Sequence, residues 1–152
     1  MLCPKFCFTF YFKRSILFQM SHVSDIVKLD QVTKVLELGD VDSLPWSPWL
    51  KMPSPDNCLE IEAYHLSGVY QIRNASSKAF IQFGIGGELQ DRMQSFFPKP
   101  FGRGTRNNKG KREHVLNNWK ILEYRYLATE SRELAATIER FVRKKKNHLF
   151  NT

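Results

Sequence analysis

A tyrosine at 70, an arginine at 92 and a glutamate at 139 fall on three different predicted elements of this 152-residue chain. Each carries a side chain that could do chemistry. A guanidinium presents a planar fork that can hold an anion through two hydrogen bonds. A phenol can orient a water, and a carboxylate can ligate a hard cation. Tyr70 ends the β-type run Gly68-Val69-Tyr70, and the turn-forming Asn74-Ala75-Ser76-Ser77 separates it from a second run containing Gln82-Phe83-Gly84. The glycine-rich break Gly84-Ile85-Gly86-Gly87 then opens a helical pattern carrying Arg92. Hairpin, loop and helix in that order bring a tyrosine and an arginine to one surface, as a small active site requires.

The elements that position these residues follow from the apolar pattern. Ser24-Asp25 caps a helix whose stripe is Ile26, Val27, Leu29, Val32 and Val35-Leu36, ended by Gly39-Asp40. Leu44-Pro45-Trp46-Ser47-Pro48-Trp49-Leu50 has too many prolines for regular structure and too much aromatic surface to leave in water, so it reads as an ordered strap packed on the domain. The first motif strand runs from Gly68 to Arg73 and the second from Lys78 to Phe83, with Phe80, Gln82 and Gly84 on one face. A short helix spans Glu88 to Phe97, with Leu89, Met93, Phe96 and Phe97 inward. Pro98 to Arg112 reads as a flexible loop whose cations, Lys99, Arg103, Arg106, Lys109, Lys111 and Arg112, are accompanied by no acid. A short helix over Arg112–Asn117 and a third strand over Trp119–Leu127 follow. Ser131 caps a final helix with the buried stripe Leu134, Ala135, Ile138, Phe141 and Val142, and Glu139 sits at the edge of that stripe.

These residues resemble the GIY-YIG nucleases. Gly68-Val69-Tyr70 matches the first half of the family's name, Gln82-Phe83-Gly84 stands where the second half belongs, and Arg92 lies ten positions after Gln82, where the family carries an arginine. Downstream, Glu139, the run Phe141-Val142-Arg143-Lys144-Lys145 and His148-Leu149-Phe150-Asn151 are similar to the family's glutamate, apolar-basic helix and terminal Lys-Pro-x-aromatic-Asn. The resemblance covers about residues 66–152 and departs at two points. Gln82 replaces the second tyrosine, and Asn147 stands where a proline is usual. It implies an α+β domain, a small antiparallel sheet of about three strands flanked by helices. The chain then divides into an N-terminal extension over residues 1–19, a helix and strap over 20–66, and a nuclease-like domain over 67–152. Residues 1–19 read as an over-called start, with Met20 as initiator.

The function implied is a divalent-metal-dependent DNA endonuclease. Phosphodiester hydrolysis needs a metal to stabilise negative oxygen, a cation for the phosphoryl charge and a base for water. On the family pattern Glu139 holds Mg²⁺ (or Mn²⁺), Arg92 binds the scissile phosphate, Tyr70 orients or deprotonates the water, and Asn151 supports from behind. A tyrosine of ordinary pKa, about 10, is a poor base at neutral pH unless a nearby cation lowers it. Lys78 is one such cation, and His114 is the second candidate. Gln82 can hold a water but cannot supply a phenolic proton. A DNA-binding module of the same fold, weakened in catalysis, is therefore the alternative. The formal charge of +8 suits a polyanionic partner, with Arg143 and Lys144 adding to the loop cations as phosphate contacts. Cys3, Cys7 and Cys58 form no CxxC pair, and His22, His65, His114 and His148 show no metal-ligand spacing. A disulfide framework or structural zinc is not expected, and a reducing, cytoplasmic setting is. No apolar run is long enough to span a bilayer.

Overall fold

The computed structural model describes residues 26–97 and 109–150. Its centre is one antiparallel sheet of four strands: β1 (Leu50–Lys51), β2 (Gly68–Asn74), β3 (Phe80–Gly86) and β4 (Leu122–Ala128), in the order β1-β4-β2-β3. Helices α1 (Leu29–Leu38), α2 (Leu89–Gln94), α3 (Lys109–Asn118) and α4 (Arg132–Lys144) cover its two faces. The α+β class stands. The strand count rises from three to four because the Trp-rich strap contributes β1, where Leu50 and Lys51 face Tyr124 and Glu123. Two residues between prolines carry no periodic signal, and only a partner far along the chain makes them a strand.

Alternation along the strands assigns side chains to the two faces, except at a bulge where the β2–β3 register shifts between Ile72 and Arg73 and turns Phe80 to the face of Phe83. Tyr70 lies opposite Gly84 on β3 and Tyr126 on β4. Tyr70, Ile72, Tyr124 and Tyr126 pack with Met93, Phe96 and Phe97 from the α2 region and Val115 from α3. On the opposite face, Val69, Phe83 and Leu127 pack with Val32 of α1 and with Leu134, Ala135, Ile138 and Val142 of α4. Burying Leu134, Ile138 and Val142 of α4 contributes about 1.5–3 kcal/mol each over exposure, and Ile138 is wholly buried.

Local chemistry sets the element ends. Ser131 caps α4 by accepting from the Leu134 N–H at 3.2 Å. Asn74 fixes the hairpin turn, its side-chain oxygen accepting from the Ser76 and Ser77 N–H groups at 2.9 Å. Gly39 ends α1 at φ 75°, which a glycine adopts without strain.

Three expected boundaries are corrected. The first helix begins at Leu29 rather than after Ser24-Asp25, because Val27 is drawn to the sheet margin, donating to Ala128 O and accepting from Glu130 N–H. The loop expected to reach Arg112 ends before Lys109, where α3 begins, so Lys109, Lys111 and Arg112 are helical. Trp119–Ile121 forms a 3-10 turn, which delays the strand expected from Trp119 to Leu122.

Candidate functional site

Tyr70 is fully buried, and its hydroxyl oxygen accepts a 2.8 Å hydrogen bond from the Gln82 side-chain amide, itself 2% exposed. The ring stands edge-on to Phe96 at 5.8 Å. Gly84 makes room for it: a Cβ there would come within 2.4 Å of the Tyr70 hydroxyl oxygen. Gly86, two residues on, makes room for Arg92 in the same way, since its Cβ would meet the Arg92 Cβ at 2.8 Å. The alternating glycines of β3 therefore seat the phenol and the arginine stem side by side on one sheet face. Arg92 itself is exposed.

Glu139 is carried by α4. It flanks the buried stripe of α4, and α4 packs on the opposite face of the sheet. Its side chain is 16% exposed, with one carboxylate oxygen 3.5 Å from the guanidinium of Arg143, one turn along. Lys78 sits in the hairpin turn at φ 60°, with its ammonium 3.1 Å from Glu123. Burial would raise the Glu123 carboxyl, but hydrogen bonds and charge from Arg73 and Lys78 carry it below the usual carboxylate range. Lys78 is thereby committed to an ion pair at the turn. His114 is half-buried on α3 with its ring 5.5 Å from Phe150, and burial lowers its pKa.

The expected phosphate contacts divide. Lys109 is exposed and pairs with Glu113 at 3.5 Å, whereas Lys111 is buried and so not placed for a phosphate. Arg112 is half-buried, with its Nε lacking a hydrogen-bond partner. Arg140, Arg143, Lys144, Lys145 and Lys146 are all exposed around the C-terminal end of α4. Lys99, Arg103, Arg106, Asn151 and residues 1–19 lie outside the described residues.

The resemblance implies a divalent metal on Glu139. Among the described residues no three His, Cys, Asp or Glu side chains form a group that could hold one, though magnesium commonly uses fewer protein ligands. Glu139 sits beside Arg143 on α4, whose buried stripe packs on the sheet face opposite Tyr70.

The opposite face holds a polar chain that the sequence reading passed over. Arg125 is 8% exposed and lies between Trp46 and Trp49, its guanidinium carbon 4.3 and 4.6 Å from their ring centres. It donates to Gln71 Oε1 from Nε at 2.9 Å and from Nη2 at 2.7 Å, and Nη2 also donates to Asp42. Gln71 is bonded in turn to His148 at 2.9 Å. The available signal was position: Gln71 and Arg125 fall on alternating core positions of strands, where a polar side chain must find a partner. A second pair, His65 Nδ1 and Glu88 Oε1 at 2.5 Å, is exposed at the start of α2.

The fold and site define an α+β domain with one antiparallel sheet and a basic helix end. Comparison with family models, curated proteins and solved structures finds no match. Among the described residues no helix is long and apolar enough to cross a membrane.

Proposed function

We propose that this chain is a DNA-binding module, similar in layout to the GIY-YIG nucleases, in which the hydrolytic centre is not assembled. The observation carrying this reading is the closed Tyr70–Gln82 pair. The phenol is fully buried, with its oxygen accepting from the Gln82 amide, and burial keeps it from a substrate water. The packing of the α4 stripe on the sheet face opposite Tyr70 supports the same reading.

Binding is supported by the net charge of +8 and by the exposed cations Arg140 and Arg143 to Lys146 at the end of α4. Cations at a helix C-terminus also complement its dipole, so the charge run is compatible with stability as well as with phosphate contact. Each phosphate neutralised on duplex DNA adds about 0.9 to the magnitude of the slope of log K against log salt. Neutralising Arg143, Lys144 and Lys146 together should reduce that magnitude by about 2–3.

The metal-dependent nuclease is a second reading, favoured by one observation: Tyr70 and Arg92 share a face through Gly84 and Gly86. One experiment separates the two. DNA affinity is measured against salt, and plasmid nicking is followed with and without Mg²⁺ or Mn²⁺. Salt-sensitive binding without nicking is expected. Metal-dependent nicking abolished by Glu139→Ala would overturn the binding-module reading. Affinity that does not respond to salt would remove DNA as the partner.

A further inference from the structure

His148 follows the basic end of α4 and is 7% exposed. Its ring stacks on Phe80 at 5.0 Å and 19° and meets Phe83 edge-on at 5.9 Å. The next two residues bind the margin of the sheet: Leu149 N–H donates to Phe80 O at 3.0 Å, and Phe150 N–H to Ile81 O at 2.9 Å. His148 is thus the buried side chain of a segment laid along β3.

Its protonation state follows from the polarity of the chain behind it. Both hydrogen bonds from Arg125 go to Gln71 Oε1. The amide group of Gln71 is left for His148, and it can only donate. His148 Nε2, at 2.9 Å, must accept and carries no proton. The ring proton then sits on Nδ1, which is buried without a partner. A second proton would put an N–H against the Gln71 amide donors, in line with the Arg125 guanidinium.

Among the described residues shown to touch the ring, none would welcome that charge. From β2 it faces Gln71, and behind this lie Arg125 of β4 and then Asp42, whose carboxylate is already bonded to Arg125. From β3 it faces Phe80 and Phe83. On α4, Glu139 is bonded to Arg143. On its own segment Lys146, at φ 49°, is held in a left-handed conformation that non-glycine residues avoid, so release of the segment also relieves strain.

We propose that His148 is an acid-sensitive latch, holding residues 148–150 against β3 while neutral and releasing them when protonated. Control of the basic run that leads into this segment rests on the DNA-binding function proposed above; the latch itself does not. Burial pushes the His148 pKa from 6.5 down to about 4. The folded pKa is depressed, so docking is fully present above the undocked value and weakens as pH falls from there towards the docked one. Between pH 7 and pH 4.5 the docked-to-released ratio should fall on the order of 50-fold.

The test is amide hydrogen exchange on the full chain without DNA, corrected for the intrinsic pH dependence of exchange. Leu149 and Phe150 should lose protection by that factor relative to amides of β2 and β4. His148→Gln keeps an acceptor for Gln71 and does not titrate, so its Leu149 and Phe150 amides should stay protected at pH 4.5. Direct titration of the wild-type imidazole by nuclear magnetic resonance checks the same idea in a chain that needs no substitution. Unchanged wild-type protection, equal loss in His148→Gln, or an imidazole titrating at or above its ordinary value would each overturn the latch. Because DNA is absent, failure here leaves the salt-dependent binding test untouched, and the converse holds.

Discussion

On one face of the sheet Tyr70 meets Gln82 through a single hydrogen bond inside an otherwise apolar cluster. On the other, Asp42, Arg125, Gln71 and His148 form a continuous polar chain between two tryptophans and the segment after α4. The first arrangement is closed, since the Gln82 amide finds an acceptor in the Tyr70 oxygen. The second is open at both ends, with an exposed carboxylate at Asp42 and an orphaned ring nitrogen at His148. A buried pair of this kind helps to specify a core. An open chain can transmit a change at one end, which here is protonation. Tyr70 and Gln82 thus lie buried in the core, and the titratable His148 lies at the end of a polar chain.

The contrast breaks hardest at Arg125. Arg125→Ala would strip both donors from Gln71 Oε1, empty the slot between Trp46 and Trp49 and leave Asp42 unpaired. An unsatisfied buried acceptor costs about 1–3 kcal/mol, and a desolvated cation over an aromatic ring adds about 1–2 kcal/mol. A loss of about 3 kcal/mol in chemical denaturation is expected. Asp42→Ala should cost under about 1 kcal/mol, because that carboxylate side chain is 68% exposed and solvent screens the pair. Equal losses from the two substitutions would mean that the ion pair, rather than the buried chain, holds this face.

The closed pair should give a smaller effect with a distinctive pattern. Tyr70→Phe leaves the Gln82 amide buried without its acceptor, at about 1–2 kcal/mol. Gln82→Leu removes the opposite partner at a similar or lower cost. The double variant should lose less than the sum, with a coupling near 1 kcal/mol, because no polar group is then stranded. Additive losses would show that the two groups are not a unit. Were Tyr70 catalytic instead, Tyr70→Phe would abolish nicking by more than its stability change explains.

Much of this fold is written locally. The Ser131 cap, the Asn74 turn and the Gly39 stop each act within a few residues, so composition and spacing reveal them. The packing of the strap was also legible, because Trp46 and Trp49 are too apolar to leave in water; they embrace Arg125 as a result. What escaped depends on distant partners. Leu50 becomes a strand only through Tyr124, and Gln71 and Arg125 become a network only once β2 and β4 are neighbours. Glu139 shows the limit most sharply. Helical spacing places it at the edge of a buried stripe, but spacing within one helix does not say which face of the sheet that stripe will cover.

Glu139 also supplies the smallest effect, and one that separates the two functional readings by sign. Its side chain is largely shielded but makes one long contact, to Arg143 at 3.5 Å. An i,i+4 ion pair on a helix contributes about 0.3–0.5 kcal/mol, and alanine recovers part of that through its higher helix propensity. Glu139→Ala should therefore shift stability by no more than about 0.5–1 kcal/mol. Its effect on DNA should be a modest gain. Removing a negative charge beside Arg143 makes the basic helix end more positive, so affinity at low salt should rise about two- to threefold, and the gain should fade as salt screens the cations. A nuclease reading expects nicking to be lost from Glu139→Ala with affinity little changed. A folded Glu139→Ala that binds DNA more weakly than the parent at low salt would contradict the module reading, since no cation would have been removed.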